Sequence, residues 1–238
     1  MGAILVKEGR PMRSDHAENP FNALPPVVVV LAGVLVAIEL VFQVGARGFA
    51  GADAIGWRIA AFNDYAFIPD LFERALATGQ WRARDLLRLV SYVFVHTGVS
   101  HLAFVVVFLL AMGKYVGDLF SAWALLAVFF GSAIVGAVVY GLVLDDRIAL
   151  IGGFPAVYGL IGAYTFVLWT GLGAMRQNPA RAFTLIGFLM AFQLLFGLLF
   201  GGGNTWVAEL AGFCAGFLLS FVVSPGGWRR VMEKLRQR

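Results

Sequence analysis

Gly152-Gly153-Phe154-Pro155-Ala156-Val157-Tyr158-Gly159-Leu160-Ile161-Gly162-Ala163 is the stretch on which the fold turns. Two glycines break the chain, a proline opens a helix, and small residues then recur along an apolar span. Proline suits a first helical turn, where the amide is unpaired anyway and the fixed φ already matches the helix. The spacing Gly159-x-x-x-Ala163, with Ala156 and Gly162 nearby, leaves one helix surface almost bare of side chains. In a membrane such a surface lets a second backbone come close and gain dispersion contact. A matching surface, Gly212-x-x-x-Gly216, sits in a later apolar run. Two thin helices are therefore expected to touch near Phe154 and Glu209.

Composition says what surrounds them. The 238 residues are 60% hydrophobic and 13% charged, and their mean hydropathy is +0.83. A soluble domain carries about 25% charged residues. Several apolar runs reach the ~20 residues that a helix needs to cross the hydrocarbon core. The class is an all-α, polytopic membrane protein. A single cysteine, Cys214, excludes an intrachain disulfide and leaves no cysteine pair for a metal. The net charge of +4 comes without a run of basic and aromatic residues, so nucleic acid is not an expected partner.

Residues 1–24 are polar, with Pro11 and Pro20, and lack the apolar core of a signal peptide. They read as a cytoplasmic tail. The membrane domain covers residues 25–223, beginning at Pro25-Pro26 with a first span to Val44. Glu39 lies inside that span, and at such depth a carboxylate faces protein or water rather than lipid. An arginine of the following loop is its expected partner. Residues 45–100 mix charges with Trp57, Phe62, Tyr65, Phe67, Phe72 and Trp81, and no window there is apolar enough to span. This long first loop is expected in the interface, where aromatic rings find an apolar and a wet side. Within it, Pro69 to Leu76 has the periodicity of an amphipathic helix.

Five further spans follow: His101–Val116, Ser121–Leu144, the central helix to Gly171, Phe183–Phe200 and Trp206–Val223. The polar turn Asp145-Asp146-Arg147 precedes the central helix. Residues 224–238 form a second tail with Arg229, Arg230, Lys234, Arg236 and Arg238 against Glu233. Lys and Arg gather in the tails and the even-numbered loops, whereas the third-to-fourth and fifth-to-sixth connections hold only Arg147. The positive-inside rule then puts both termini in the cytoplasm and Phe154 toward the outer face. A bacterial cytoplasmic membrane is the expected location.

Four segments, in order, resemble the rhomboid intramembrane serine proteases. Gly79-Gln80-Trp81-Arg82 with Leu87 to His96 is similar to the family's Trp-Arg first-loop motif, interrupted by extra residues. His101-Leu102-Ala103-Phe104-Val105, with Gly113 following, is similar to His-x-x-x-Asn. The central stretch is similar to Gly-x-Ser-Gly-x-x-Tyr-Gly-x-x-Gly-Ala. Ala208 to Gly216 is similar to Ala-His-x-x-Gly-x-x-x-Gly. The resemblance implies a six-helix rhomboid-like bundle with a catalytic serine on the fourth span and a histidine base on the sixth. Here those positions hold Phe154 and Glu209. The family's oxyanion-binding positions are His101 and Val105, the latter in place of asparagine, and Tyr158 is the tyrosine that packs beside the family's histidine.

A benzyl group has no nucleophilic atom, and a carboxylate cannot serve as base for a hydroxyl that is absent. Nucleophile and base act as a unit, so loss of either removes most of the catalysis. The sequence therefore points to an inactive rhomboid-like protein that binds transmembrane segments or membrane-protein clients without cutting them. An active protease with displaced catalytic residues is the alternative, and a transporter or channel using Glu39 and Glu209 a second one. No cofactor is expected. His96 and His101 stand five apart, on different faces if both are helical, so a shared metal with Glu209 is not expected. Cys214 reads as a packing residue, and His101 as the partner of Glu209.

Overall fold

The computed structural model describes residues 23–144, 148–200 and 203–227. The first tail up to Asn22, the turn Asp145-Asp146-Arg147, Gly201 and Gly202, and the basic tail from Trp228 lie outside these residues. Nine α-helices run through the described chain: α1 Pro26–Ala46, α2 Trp57–Tyr65, α3 Pro69–Thr78, α4 Ala83–Ser91, α5 Val99–Leu119, α6 Ala122–Val143, α7 Phe154–Ala174, α8 Thr184–Phe200 and α9 Trp206–Val223. Five of them (α1, α5, α6, α7 and α9) are long and apolar enough to cross a membrane. At 1.5 Å per residue a 21-residue helix is roughly 32 Å long, about the thickness of a hydrocarbon core. The apolar α8, of 17 residues, is shorter. The chain is an integral multi-pass membrane protein built as a helical bundle.

Local sequence explains where the helices start. Pro26 opens α1 and Pro69 opens α3, each where a missing amide costs nothing. The Ser121 hydroxyl caps α6 by accepting from the Ala124 N–H at 3.3 Å. Gly79 ends α3 in the left-handed region, φ 68°.

The centre of the bundle is α7, whose residues from Pro155 to Ala163 are buried without a break. A helix buried on every side must be apolar all round, and this one is. Its most extensive partner is α9, with α6 and α5 beside it. A Cβ on Gly216 would strike the Gly159 carbonyl, and one on Gly212 the Pro155 carbonyl. Any side chain there would push the two backbones apart, so the glycines set the closeness of the pair. Ala163 is fully buried in the same core.

The first loop contains more helix than its pattern suggests: α2 and α4 form as well as the expected α3. A reciprocal pair of backbone hydrogen bonds, Phe67 N to Leu150 O at 3.1 Å and Leu150 N to Phe67 O at 2.8 Å, clips this loop to the approach to α7. Tyr92, fully buried at the end of the loop, donates its hydroxyl to the Ala133 carbonyl at 2.8 Å. The loop thereby packs against the membrane helices and frames the start of α7.

Candidate functional site

The site lies where the chain enters α7. The Gly152 N–H donates to the Tyr92 carbonyl at 2.9 Å, and Gly152 has φ +92°. A Cβ at that position would lie 2.7 Å from His101 Nε2, so glycine is required by backbone and neighbour alike. Gly153 caps the helix, and Phe154 is its first residue. The half-buried Phe154 ring stacks on His101, with centroids 5.2 Å apart and 21° between planes. It also meets Tyr158 edge-on, at 6.5 Å and 75°. Val105 is completely buried, and a Cβ on Gly153 would fall 2.8 Å from its Cγ1. The position that the family resemblance gives to an amide donor therefore presents a methyl group.

Glu209 occupies the first turn of α9 and is 5% exposed. The polar side chains of Gln193, Tyr158 and Thr205 gather around its carboxylate. The expected partner, His101, is not the one it takes. The Phe154 ring covers a face of that imidazole, and the carboxylate turns instead to the hydroxyl one helical turn further along α7. His101 finds its polar partner locally: its Nδ1 accepts the Thr97 N–H at 3.4 Å and lies 3.1 Å from Thr97 Oγ1. This is the hydroxyl–imidazole pair that the structure does contain, four residues apart at the entrance to α5.

His96 precedes α5 rather than standing on it. Its ring therefore reaches His101, with centroids 5.3 Å apart and 75° between planes, which corrects the expectation that the two point away from each other. Even so, no group of three His, Cys, Asp or Glu gathers among the described residues. His96 is 1% exposed, and its Nε2 has no hydrogen-bond partner. Burial, with His101 next to it, lowers its pKa from 6.5 to about 4, so the ring is neutral at physiological pH.

Glu39 is 3% exposed and bound by Arg58 of α2 through both oxygens, at 2.7 and 2.9 Å. Gln43 donates to it as well, at 2.8 Å. The same guanidinium donates to the His96 carbonyl at 2.7 Å. One arginine thus ties the first span, the first loop and the entrance to α5 together. An arginine of the following loop was the expected partner, and Arg58 is that residue.

Cys214, read as a packing residue, is exposed on α9. Four participants were not singled out in the sequence: Arg58, Thr97, Gln193 and Thr205. A signal existed for two of them. Gln193 is the one amide in an otherwise apolar run from Leu185 to Phe200, and Thr97 stands at the i−4 position from His101.

A family model described as the Rhomboid domain matches residues 83–226. The rhomboid homologue YdcA of Bacillus subtilis is 25% identical over 211 residues, which cover 89% of this chain and 94% of YdcA. Inactive rhomboid-related protein 2 of Caenorhabditis elegans is 26% identical over 157 residues, 63% of this chain and 44% of that protein. RHOMBOID-like protein 4 of Arabidopsis thaliana is 30% identical over 139 residues, 57% of this chain and 34% of that protein. The chain thus spans nearly all of the bacterial relative and under half of the two eukaryotic ones. It belongs to the rhomboid family.

Proposed function

We propose that this rhomboid-family chain is catalytically inactive and holds transmembrane segments of other membrane proteins without cutting them. One observation carries the reading. The position of the nucleophile is filled by a benzyl ring stacked on His101, and the position of the base by a carboxylate engaged by Tyr158, Gln193 and Thr205. With neither an attacking oxygen nor a free base there, the acyl-transfer chemistry has no starting point. The name of the Caenorhabditis relative, an inactive rhomboid-related protein, is in keeping with this.

The bundle retains what client binding needs. Helix α8 packs through Ile186, Leu185, Leu189 and Met190 in a cluster with Tyr158 and Phe213. It leaves Phe188, Phe192, Leu194, Leu195 and Leu199 exposed. In the membrane that face is open to another helix, beside the polar group Gln193–Glu209. The bacterial relative and the Lys/Arg distribution support a bacterial cytoplasmic membrane with both termini cytoplasmic.

The test pairs two measurements on one model transmembrane substrate. Intact membranes should show no labelling by a serine-reactive fluorophosphonate and no cleavage of the substrate. A photo-crosslinker at Phe192 should trap the uncut substrate, and one at Trp123, exposed on α6, should not. Cleavage by the unmodified protein would overturn the reading. The Thr97–His101 pair favours a second reading, a protease with a displaced hydroxyl. That reading requires labelling that disappears in Thr97→Val. Transport through paired membrane carboxylates is disfavoured, since Glu39 is consumed by Arg58 and Glu209 by its three partners.

A further inference from the structure

Away from the α7 entrance, the first loop builds a second concavity. Helices α3 and α4 and the turn between them enclose a hollow of about 390 Å³. Its wall includes Arg74, Arg82, Arg84 and Arg88, against a single carboxylate, Asp85. That carboxylate is already engaged, accepting the Arg82 backbone N–H at 3.2 Å. Arg84 is held by Asp64 in an exposed pair at 3.1 Å. The hollow therefore carries an excess of positive charge that the protein itself does not neutralise.

Arg88 is the informative member. It is only 6% exposed. One of its nitrogens, Nη2, donates to the Asn63 carbonyl, while Nε and Nη1 have no partner. Unused donors on a buried guanidinium are costly, and such groups are ordinarily satisfied. A guanidinium is also the side chain best suited to phosphate oxygens. On the same segment of the loop, Leu76, Trp81, Leu86 and Leu87 are exposed. A soluble anion has no use for those apolar side chains, whereas an amphiphile lays its acyl chains on them. The hollow sits in a loop joined on both sides to membrane spans, α1 and α5, so lipid headgroups lie within its reach.

We propose that this hollow binds a phosphate anion presented by the headgroup of an anionic lipid, with Arg88 at its floor and Arg74 and Arg82 at its mouth. The site is independent of whether the chain cuts peptide bonds. It anchors the first loop, and with it the frame around Phe154, to the membrane surface.

Native mass spectrometry of the full chain in detergent, titrated with phosphatidylglycerol or phosphatidylcholine, reads the site directly. The expected result is one phosphatidylglycerol retained where phosphatidylcholine is lost, with glycerol 3-phosphate at the same concentration failing to displace it. Because Arg88 is buried and its removal would disturb folding as well as binding, the test uses Arg74→Gln/Arg82→Gln, both exposed. That pair should weaken retention about tenfold or more, and Arg181→Gln, outside the loop, should leave it unchanged. Binding of glycerol 3-phosphate without retention of lipid would keep the phosphate site and overturn the lipid as its source. Equal retention of both lipids, or retention indifferent to the double substitution, would overturn the proposal.

Discussion

The rings of His101 and Phe154 lie face to face, 5.2 Å between centroids and 21° from parallel. An imidazole and a benzyl group in that arrangement exchange dispersion and apolar contact, and no proton. Where the family resemblance sets a nucleophile within reach of polar groups, this chain has built a small aromatic core. Tyr158 extends it edge-on from Phe154 and His96 from His101. On the proposed reading, packing stands there in the place of chemistry.

Restoring the missing groups should therefore recover little. The variant Phe154→Ser/Pro155→Gly/Val105→Asn/Glu209→His rebuilds the polar set of the family pattern. It also removes the half-buried Phe154 ring, which costs about 2 kcal/mol or more through lost contact and cavity. It removes the proline that opens α7 as well. The expected outcome is faint fluorophosphonate labelling in the quadruple variant and none in the parent, with cleavage of a model transmembrane substrate near background. Robust turnover by the variant would show that the first loop still positions substrate as an active protease does.

Glu209→Leu should destabilise the protein by about 1–3 kcal/mol, because the buried Tyr158 hydroxyl loses its acceptor. The decisive comparison is between two double-mutant cycles, read by thermal unfolding in detergent. Glu209→Leu with Tyr158→Phe should be non-additive by about 0.5 kcal/mol or more, as for groups in one hydrogen-bond network. Glu209→Leu with His101→Leu should be additive to within that margin. The opposite pattern would reinstate His101 as the partner of the carboxylate.

The Glu39–Arg58 pair predicts an asymmetry. Arg58→Met strands a carboxylate that is 3% exposed and should cost about 3 kcal/mol, as for other buried pairs broken on one side. Glu39→Met/Arg58→Met removes the stranded charge and should recover much of that loss. Limited proteolysis of the first loop in proteoliposomes gives a second readout. The loop should become more sensitive in the single variant than in the double, since Arg58 also holds the His96 carbonyl.

His96 supplies a pH dependence whose sign is determined by burial. Its pKa falls from 6.5 to about 4 on folding, so between those values the unfolded chain binds more protons than the native one. The contribution to stability is complete above pH 6.5 and is lost as the pH falls toward 4, by at most ~1.4 kcal/mol per pH unit. Neighbouring His101, Glu39 and Arg58 share the local field. Melting temperatures measured between pH 7.5 and 4.5 should fall less steeply for His96→Gln than for the parent. Identical slopes would show that the ring is not the group being titrated.

How much of this was legible beforehand depends on the range of the interaction. Five of the six expected spans were readable because a membrane helix is a local property, set by some 20 consecutive apolar residues, and Trp206–Val223 has the limits expected of it; the expected span Phe183–Phe200 is the shorter α8. The contact of α7 with α9 was readable because small residues at a spacing of four are a one-dimensional signature of close packing. That Phe154 has no oxygen to attack with, and Val105 no polar group to offer an oxyanion, was readable from identity alone.

Partners were another matter. Sequence could say that Glu39 and Glu209 each need a partner, because a buried charge cannot stay unpaired. It identified the class of the first partner, an arginine of the loop, but not the residue. For the second it named His101, and the carboxylate is held by Tyr158, Gln193 and Thr205. The choice was made by the position of the Phe154 ring and by Gln193 of α8 coming beside Glu209, relationships that exist only once the helices have packed. The hollow of the first loop belongs to the same category. Six arginines are visible in residues 45–100, but which of them share a wall depends on the turn at Gly79 folding α4 back beside α3. Composition sets what must be satisfied, and only the packed chain settles by whom, because hydrogen bonds and charges act over a few ångströms and the chain brings distant residues that close only after it has folded.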